Sequence, residues 1–262
     1  EKEMLETSYG RLMYRLKEAG VISSVKGLIY HQGESDSDEK YHEYSSKFDR
    51  LYQDWKTDLV NLKKIYIFQI HPGCGGKFQS ELRQIQSNIS EKYKDISIMS
   101  TTGINGHDGC HFSVNGYKEF ANRLFPVISQ DFYGQKFSNK ITPPKIIKSK
   151  KAGRGKKLEL IFDQEIYFEK SKIVEGLRKR IRDQFWLTKK DKTTDFFGEV
   201  RKVKSKNNKM ILFLKRKFAW DEISWVPNSE YIGTNKTYDG PWIYGKHNNI
   251  GALTFHKNKI SN

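Results

Sequence analysis

Only two cysteines, Cys74 and Cys110, occur in 262 residues, so the fold is not a disulfide framework, although a single bridge is allowed. Six prolines against 20 glycines exclude a collagen-like chain, and an aromatic content of 13% excludes a disordered one. No run approaches the roughly 18 consecutive apolar residues of a membrane-crossing helix. The first residues, Glu1-Lys2-Glu3-Met4, are charged and lack the apolar stretch of a secretory leader. Acidic residues are in deficit, 31 against 47 Lys and Arg, which gives a formal charge of +16. Such a balance favours anionic partners such as nucleic acid, acidic glycans or a membrane surface. The excess is mostly lysine scattered along the chain, however, which reads more readily as a solvated surface than as a designed patch.

The length fits one large domain or two modest ones, each of roughly 100–200 residues. The texture changes between Ser138 and Pro144, where Pro143-Pro144 marks a linker. Two units are therefore expected, residues 1–138 and residues 139–262. In the first, strand-like runs at Val25–Tyr30, Ile65–Ile70 and Ile96–Met99 alternate with amphipathic helical stretches. One stretch places Tyr44, Phe48, Leu51, Tyr52, Trp55, Leu59 and Leu62 on a single stripe. Others cover about Gln79 to Tyr93 and a final helix from Val114, with a shorter one at Leu12–Lys17. Alternation of this kind predicts a mostly parallel sheet flanked by helices, with ligands beyond the carboxyl ends of its strands. The second unit has strand-like runs at Leu158–Phe162, Gln184–Thr188, Phe196–Lys204, Met210–Leu214, Ile223–Val226 and Ala252–Phe255, with a hairpin turn at Ser205–Lys209. It reads as a β-sandwich domain.

Two segments carry the chemistry. Tyr30-His31-Gln32-Gly33-Glu34-Ser35-Asp36 directly follows a strand, and Asp108-Gly109-Cys110-His111-Phe112-Ser113-Val114-Asn115-Gly116-Tyr117 leads into the last helix. An Asp three residues before a His can hold one ring nitrogen and leave the other free as a general base. A Gln at the carboxyl edge of a strand can offer its amide to a developing oxyanion. Taken singly, each pattern is more often a capped turn or an ordinary polar loop.

Together the two segments resemble a family. Gly27 to Asp36 looks like the third conserved block of SGNH-type carbohydrate esterases, in the sialate O-acetylesterase and acetylxylan-esterase-like branch. Asp108 to Tyr117 is similar to that branch's final D-x-x-H-x-x-x-x-G-Y block, and Tyr44, Phe48, Trp55 and Phe68-Gln69 are similar to its intervening positions. The likeness covers about Leu12 to Ile128. It implies an α/β fold in which an incomplete SGNH-hydrolase-like sheet is followed by an accessory β domain. It also implies hydrolysis of O-acetyl groups on a carbohydrate, without cofactor or metal, in a secreted or periplasmic setting. Position by position, His111 is the implied base, Asp108 its orienting partner and Gln32 an oxyanion-hole donor. Glu34 supports the Gln32 loop or His111, and competes with Asp108 for the third place of a triad. Tyr30 stands where the branch usually has Trp. The nucleophilic serine block is absent upstream, since Ser8 has no preceding strand and Ser23 and Ser24 lie at the wrong end of theirs. The expected partners are thus an acetylated carbohydrate, for which the net charge favours an acidic glycan, and an N-terminal segment or second chain carrying the nucleophile. A non-catalytic glycan-binding protein on the same scaffold is the alternative.

Other readings weigh less. His107, Asp108, Cys110 and His111, with His71 nearby, have metal-ligand chemistry, but Gly106 and Gly109 break the helical spacing of known sites. Gly73–Lys77 fails the phosphate-loop pattern because Phe78 follows the lysine. Cys74 and Cys110 fall in loops on the same expected rim and are either bridged or two free thiols; a bridge adds roughly 4 kcal/mol by chain entropy. Trp220, Trp225, Trp242, Tyr231, Tyr238 and Tyr244 are either sugar-stacking faces or buried core. Lys145–Lys157 is either a polyanion contact or a solvated linker. No nucleic-acid-binding module is recognisable and no membrane contact is expected.

Overall fold

The computed structural model describes residues 5–174, 176–189, 195–217, 220–226 and 239–261; Tyr231 and Tyr238 lie outside them. In the first half, α1 (Ser8–Glu18), β1 (Gly27–Tyr30), α2 (Tyr44–Asp58), β2 (Lys64–Phe68), α3 (Gln79–Lys92), β3 (Ile96–Met99) and α4 (Val114–Tyr133) follow in order. The three strands form one parallel sheet, β1-β2-β3, with Leu28 opposite Ile65 and Ile65 opposite Ile96. Parallel pairing places the loops after Tyr30, Phe68 and Met99 on one rim, as the alternating pattern predicts.

β2 shows why the sheet needs cover on both faces. Its Ile65 and Ile67 pack into a cluster with Phe48, Trp55, Leu82 and Ile89 of α2 and α3. The alternate residues Tyr66 and Phe68 join Phe120, Leu124 and Val127 of α4 on the opposite face. Each such fully buried large side chain contributes about 1.5–3 kcal/mol. Leu59 and Leu62 lie past the end of α2, yet both are buried in the first cluster. Thr7 caps α1 by accepting from the Gly10 N–H at 2.9 Å.

The second half contains β4 (Ile146–Ala152), β5 (Lys157–Phe162), β6 (Ile166–Phe168), β7 (Ser171–Val174), β8 (Leu177–Arg180), β9 (Phe185–Thr188), β10 (Asp195–Phe196), β11 (Val200–Lys206), β12 (Lys209–Leu214), β13 (Glu222–Trp225), β14 (Ile243–Gly245) and β15 (Phe255–Ser261). Eight of them pair edge to edge in the order β10-β9-β13-β15-β4-β5-β12-β11, while β14-β6 and β7-β8 are separate two-stranded pieces. β15 joins the two halves of the long sheet, antiparallel to β13 and parallel to β4. Trp220, Trp225 and Trp242 are core residues here, buried with Leu160, Phe162 and Ile223. The lysine-rich stretch from Lys145 is the strand β4 rather than a linker. Ile146 and Ser149 face inward, Ile147 and Lys148 are exposed, and Lys150 and Lys151 are half-buried.

The last loop returns to the first half. Ser100 Oγ donates to the Gly251 carbonyl and Thr102 Oγ1 to that of Ala252. Ile250 and Leu253 enter the two clusters that flank the parallel sheet. Gly251 is required by this approach, because a β-carbon there would run into the Thr102 carbonyl oxygen.

Candidate active site

The segment between β3 and α4 folds back on itself as a lip. His107 and Phe112 form a bridge, and the Ser113 N–H donates to the Gly106 carbonyl at 2.7 Å. At its tip Asp108 Oδ1 accepts from the backbone N–H groups of Cys110 at 2.9 Å and His111 at 2.7 Å. The other oxygen, Oδ2, lies 3.1 Å from His111 Nδ1. The His111 backbone N–H, then that of Cys110, then the imidazole hold the Asp108 carboxyl far below the usual range, so it stays ionised. A fixed carboxylate on Nδ1 selects the tautomer with Nε2 open as acceptor. Both side chains are largely uncovered, 87% exposed for His111 and 64% for Asp108, so water surrounds the pair in this chain.

Cys110, next to His111, is bonded to Cys74 in the loop after β2, with α-carbons 4.8 Å apart. Of the two possibilities left open for these cysteines, the structure takes the bridge. It anchors the lip to the neighbouring rim loop.

The loop after β1 is ordered by two residues from elsewhere. Its Gln32 carbonyl accepts from Gln86 Nε2 of α3 at 3.0 Å and from the Tyr44 hydroxyl at 3.2 Å. Gly33, at φ 145°, passes so close to α3 that a β-carbon would lie 2.9 Å from Gln86 Nε2. The Gln32 side chain accepts from the Tyr30 hydroxyl at 2.9 Å and donates to Asp36 Oδ2. Its amide is thus engaged locally, and it borders an apolar groove along β1 that also includes Leu28, Trp55 and Leu16. His111 and Glu34 instead share a different cavity of about 660 Å³, with His31, Ser35, Asp38 and Tyr117. The structure therefore brings together Asp108, His111 and Glu34 and leaves Gln32 on the β1 side of the rim.

Glu34 pairs with His31 rather than with His111. His31 Nε2 lies 3.3 Å from Glu34 Oε1, and its ring packs against Phe68, Phe112 and Phe120. Burial pushes the Glu34 carboxyl up, but the His31 pairing and nearby backbone donors outweigh it and leave the carboxyl below its ordinary value. Of the two carboxylates weighed for His111, Asp108 is the one in contact.

Sequence reasoning weighed His71 and His107 only as metal ligands and did not anticipate their packing. The His71 and His107 rings pack at a tilt of 45° with centroids 4.2 Å apart, and His107 Nε2 lies 3.8 Å from Asp239 Oδ1. Burial first, then the neighbouring His107 and Arg83, push the His71 ring down to about 3. Among the described residues, no group of three or more His, Cys, Asp or Glu is arranged to hold a metal ion.

Two comparisons bear on this geometry. Residues 2–130 match the family described as carbohydrate esterase, sialic acid-specific acetylesterase. This segment belongs to that family. No curated protein matches the chain. The crystal structure of a novel carbohydrate acetylesterase from Xanthomonas citri is similar, with a TM-score of 0.65 and 15% identity, over 88% of this chain and 49% of that one. At that identity the likeness is one of fold, and the chain spans about half the length of the Xanthomonas enzyme. A match over 88% of the chain necessarily reaches well beyond residue 130, so the esterase-family segment and the β half share the likeness. Within the esterase-family segment, both chemistry-bearing blocks lie on the strand carboxyl rim.

Proposed function

We propose that the chain supplies the general base of a serine carbohydrate O-acetylesterase whose nucleophile belongs to a part outside these 262 residues. The observation that carries this reading is the Asp108–His111 pair at 3.1 Å, exposed on a disulfide-anchored lip beside an open cavity. Family membership of residues 2–130 and the fold likeness to a carbohydrate acetylesterase support it.

In the reaction, a serine hydroxyl attacks the acetyl carbonyl carbon while His111 Nε2 takes its proton, and Asp108 stabilises the resulting imidazolium. Collapse of the tetrahedral intermediate expels the sugar oxygen, which receives that proton. Water, activated by the same base, then releases acetate from the acyl-enzyme. Gln32 donates to the oxyanion after exchanging its present acceptor, Asp36. Ser35 lines the His111 cavity, but no hydrogen bond joins it to His111 among the described residues, so it is not the nucleophile in this reading.

The open edge of the parallel sheet supports an external source for the serine. β1 has a partner on one side only, Ile29 is 60% exposed, and an apolar groove runs beside it. All-parallel sheets ordinarily have both faces covered, whereas no residue of β1 is buried. A strand added here would bring its carboxyl end to the Gln32 side of the rim. The Cys74–Cys110 bridge favours an oxidising compartment, secreted or periplasmic. An acidic substrate draws support from the net charge of +16, but among the described residues no Lys or Arg lines the His111 cavity. The β half is, in this reading, an accessory sandwich-like domain whose two sheet halves share one core.

Denaturing intact mass after fluorophosphonate treatment of the native-source protein, with acetate release from an O-acetylated sugar, tests the reading. An adduct on a serine outside this sequence, with release abolished by His111→Asn, is the expected result. A single unlabelled species of 30.7 kDa that releases no acetate overturns it in favour of a non-catalytic glycan-binding protein.

A further inference from the structure

A second cavity, of about 600 Å³, opens on the other side of the lip, at the seam between the two halves. Ser113, two residues from His111, lines it, so no more than about 7 Å of backbone separates this cavity from the base. Its walls combine an aromatic pair with amides. Tyr167 and Tyr244 stack at 5.2 Å with an interplanar angle of 18°, and the Tyr167 hydroxyl donates to Asn249 Oδ1. The inner ring, Tyr244, is backed by Gly103, where a β-carbon would lie 2.6 Å from the ring. Tyr167 stays 39% exposed. Asn105 and Asn115 add exposed side-chain amides from the lip side.

The charges in this cavity are distinctive for a chain of +16. Its one lining cation, Arg123, is buried and engaged, donating to the Thr102 carbonyl at 2.7 Å and to Glu119 Oε1 at 2.9 Å. The remaining charged groups are carboxylates, Glu119 and Glu169. Aromatic faces stack on the apolar face of a pyranose, and amides pair with hydroxyls. A sugar carboxylate placed here would instead face two like charges with no free cation among the described lining residues.

We propose that this seam cavity is a subsite for uncharged sugar units flanking the acetylated one, so that the enzyme acts on a glycan chain and selects neutral neighbours. This rests on the esterase reading only for the identity of the neighbouring His111 site. The seam continues past Glu119, Arg123 and Asn249 into an adjoining hollow of about 370 Å³, which gives a chain room to run on.

The test is titration of the full chain with xylohexaose, chitohexaose and oligogalacturonate hexamer, followed by the Asn105 and Asn115 side-chain amide resonances. A neutral hexamer is expected to shift both saturably and the acidic one to bind at least roughly tenfold more weakly. Tyr167→Ala and, independently of any folding defect there, the exposed Asn115→Ala are each expected to weaken the neutral hexamer by roughly three- to tenfold. The proposal is overturned if neither neutral hexamer shifts these amides, if oligogalacturonate binds as tightly, or if both variants bind as the parent does. Hexamer binding without acetate release from the assembled protein sinks the esterase reading alone. Acetate release from an O-acetylated monosaccharide without hexamer binding sinks the subsite alone.

Discussion

Asp108 commits one carboxylate oxygen to two backbone N–H groups and the other to the His111 ring. A neutral amide in its place loses the charge that favours imidazolium and can present the wrong tautomer. Asp108→Asn in the assembled enzyme is expected to lower kcat for acetate release by roughly 10³–10⁴-fold, with an unchanged circular dichroism spectrum. Retention of activity would transfer the orienting role to Glu34. His71 makes a second prediction at this scale. Its ring titrates near 6.5 when unfolded and near 3 when buried, so below about 6.5 the unfolded state binds more protons. Stability is therefore complete above that pH and falls as the pH drops towards 3, by at most about 1.4 kcal/mol per unit. Urea midpoints from pH 7 to pH 4 should fall less steeply for His71→Phe than for the parent.

At the scale of elements, the bridge holds the lip against the loop after β2 across a sequence separation of 36. Replacing both cysteines by serine is expected to cost about 2–4 kcal/mol in chemical denaturation. The His111 loop should also become a preferred site of limited proteolysis. The same scale shows what the sequence made legible. Ile96–Met99 is bounded as its pattern predicts, and β2 and the helices fall within a few residues of theirs, because each buries a clear stripe. β4 was hidden because lysine fills three of its seven positions and only Ile146 and Ser149 are buried, too few to signal a strand. The Ala252–Phe255 run reads as a strand because it is largely apolar, but β15 begins only at Phe255; Leu253 is buried in a first-half cluster and Ala252 in the core of the β half. In the site, the Asp108–His111 contact follows from three-residue spacing in a turn. The His31–Glu34 pair has the same three-residue spacing, but that Glu34 takes His31 and Asp36 engages Gln32 depends on how the loop coils.

For the whole molecule, charge and assembly separate spatially. Lys148, Lys150, Lys202, Lys204, Lys206 and Lys209 lie in register on one face of the long sheet, with Glu159 among them. Part of the positive excess is thus gathered there, whereas among the described residues the only Lys or Arg lining the two rim cavities is the engaged Arg123. The open β1 edge gives a prediction about assembly: Ile29→Lys is expected to abolish acetate release by blocking strand addition. Because Ile29 is exposed, the thermal midpoint of the isolated chain should stay within the few degrees of an ordinary surface change. The seam gives another, since Gly251→Ala forces a β-carbon onto the Thr102 carbonyl and is expected to cost about 1–3 kcal/mol in urea unfolding. The seam also sets the order of events at the ribosome. Gln69 and Arg83 sit in the half synthesised first, yet Thr254 supplies two of the oxygens that Gln69 Nε2 and Arg83 Nε reach, and Gln69 Oε1 accepts from the Thr254 N–H. Ser100 and Thr102 likewise await Gly251 and Ala252. The nascent first half must therefore leave these polar groups to water until residues 251–254 have emerged, and it cannot reach its final form before then.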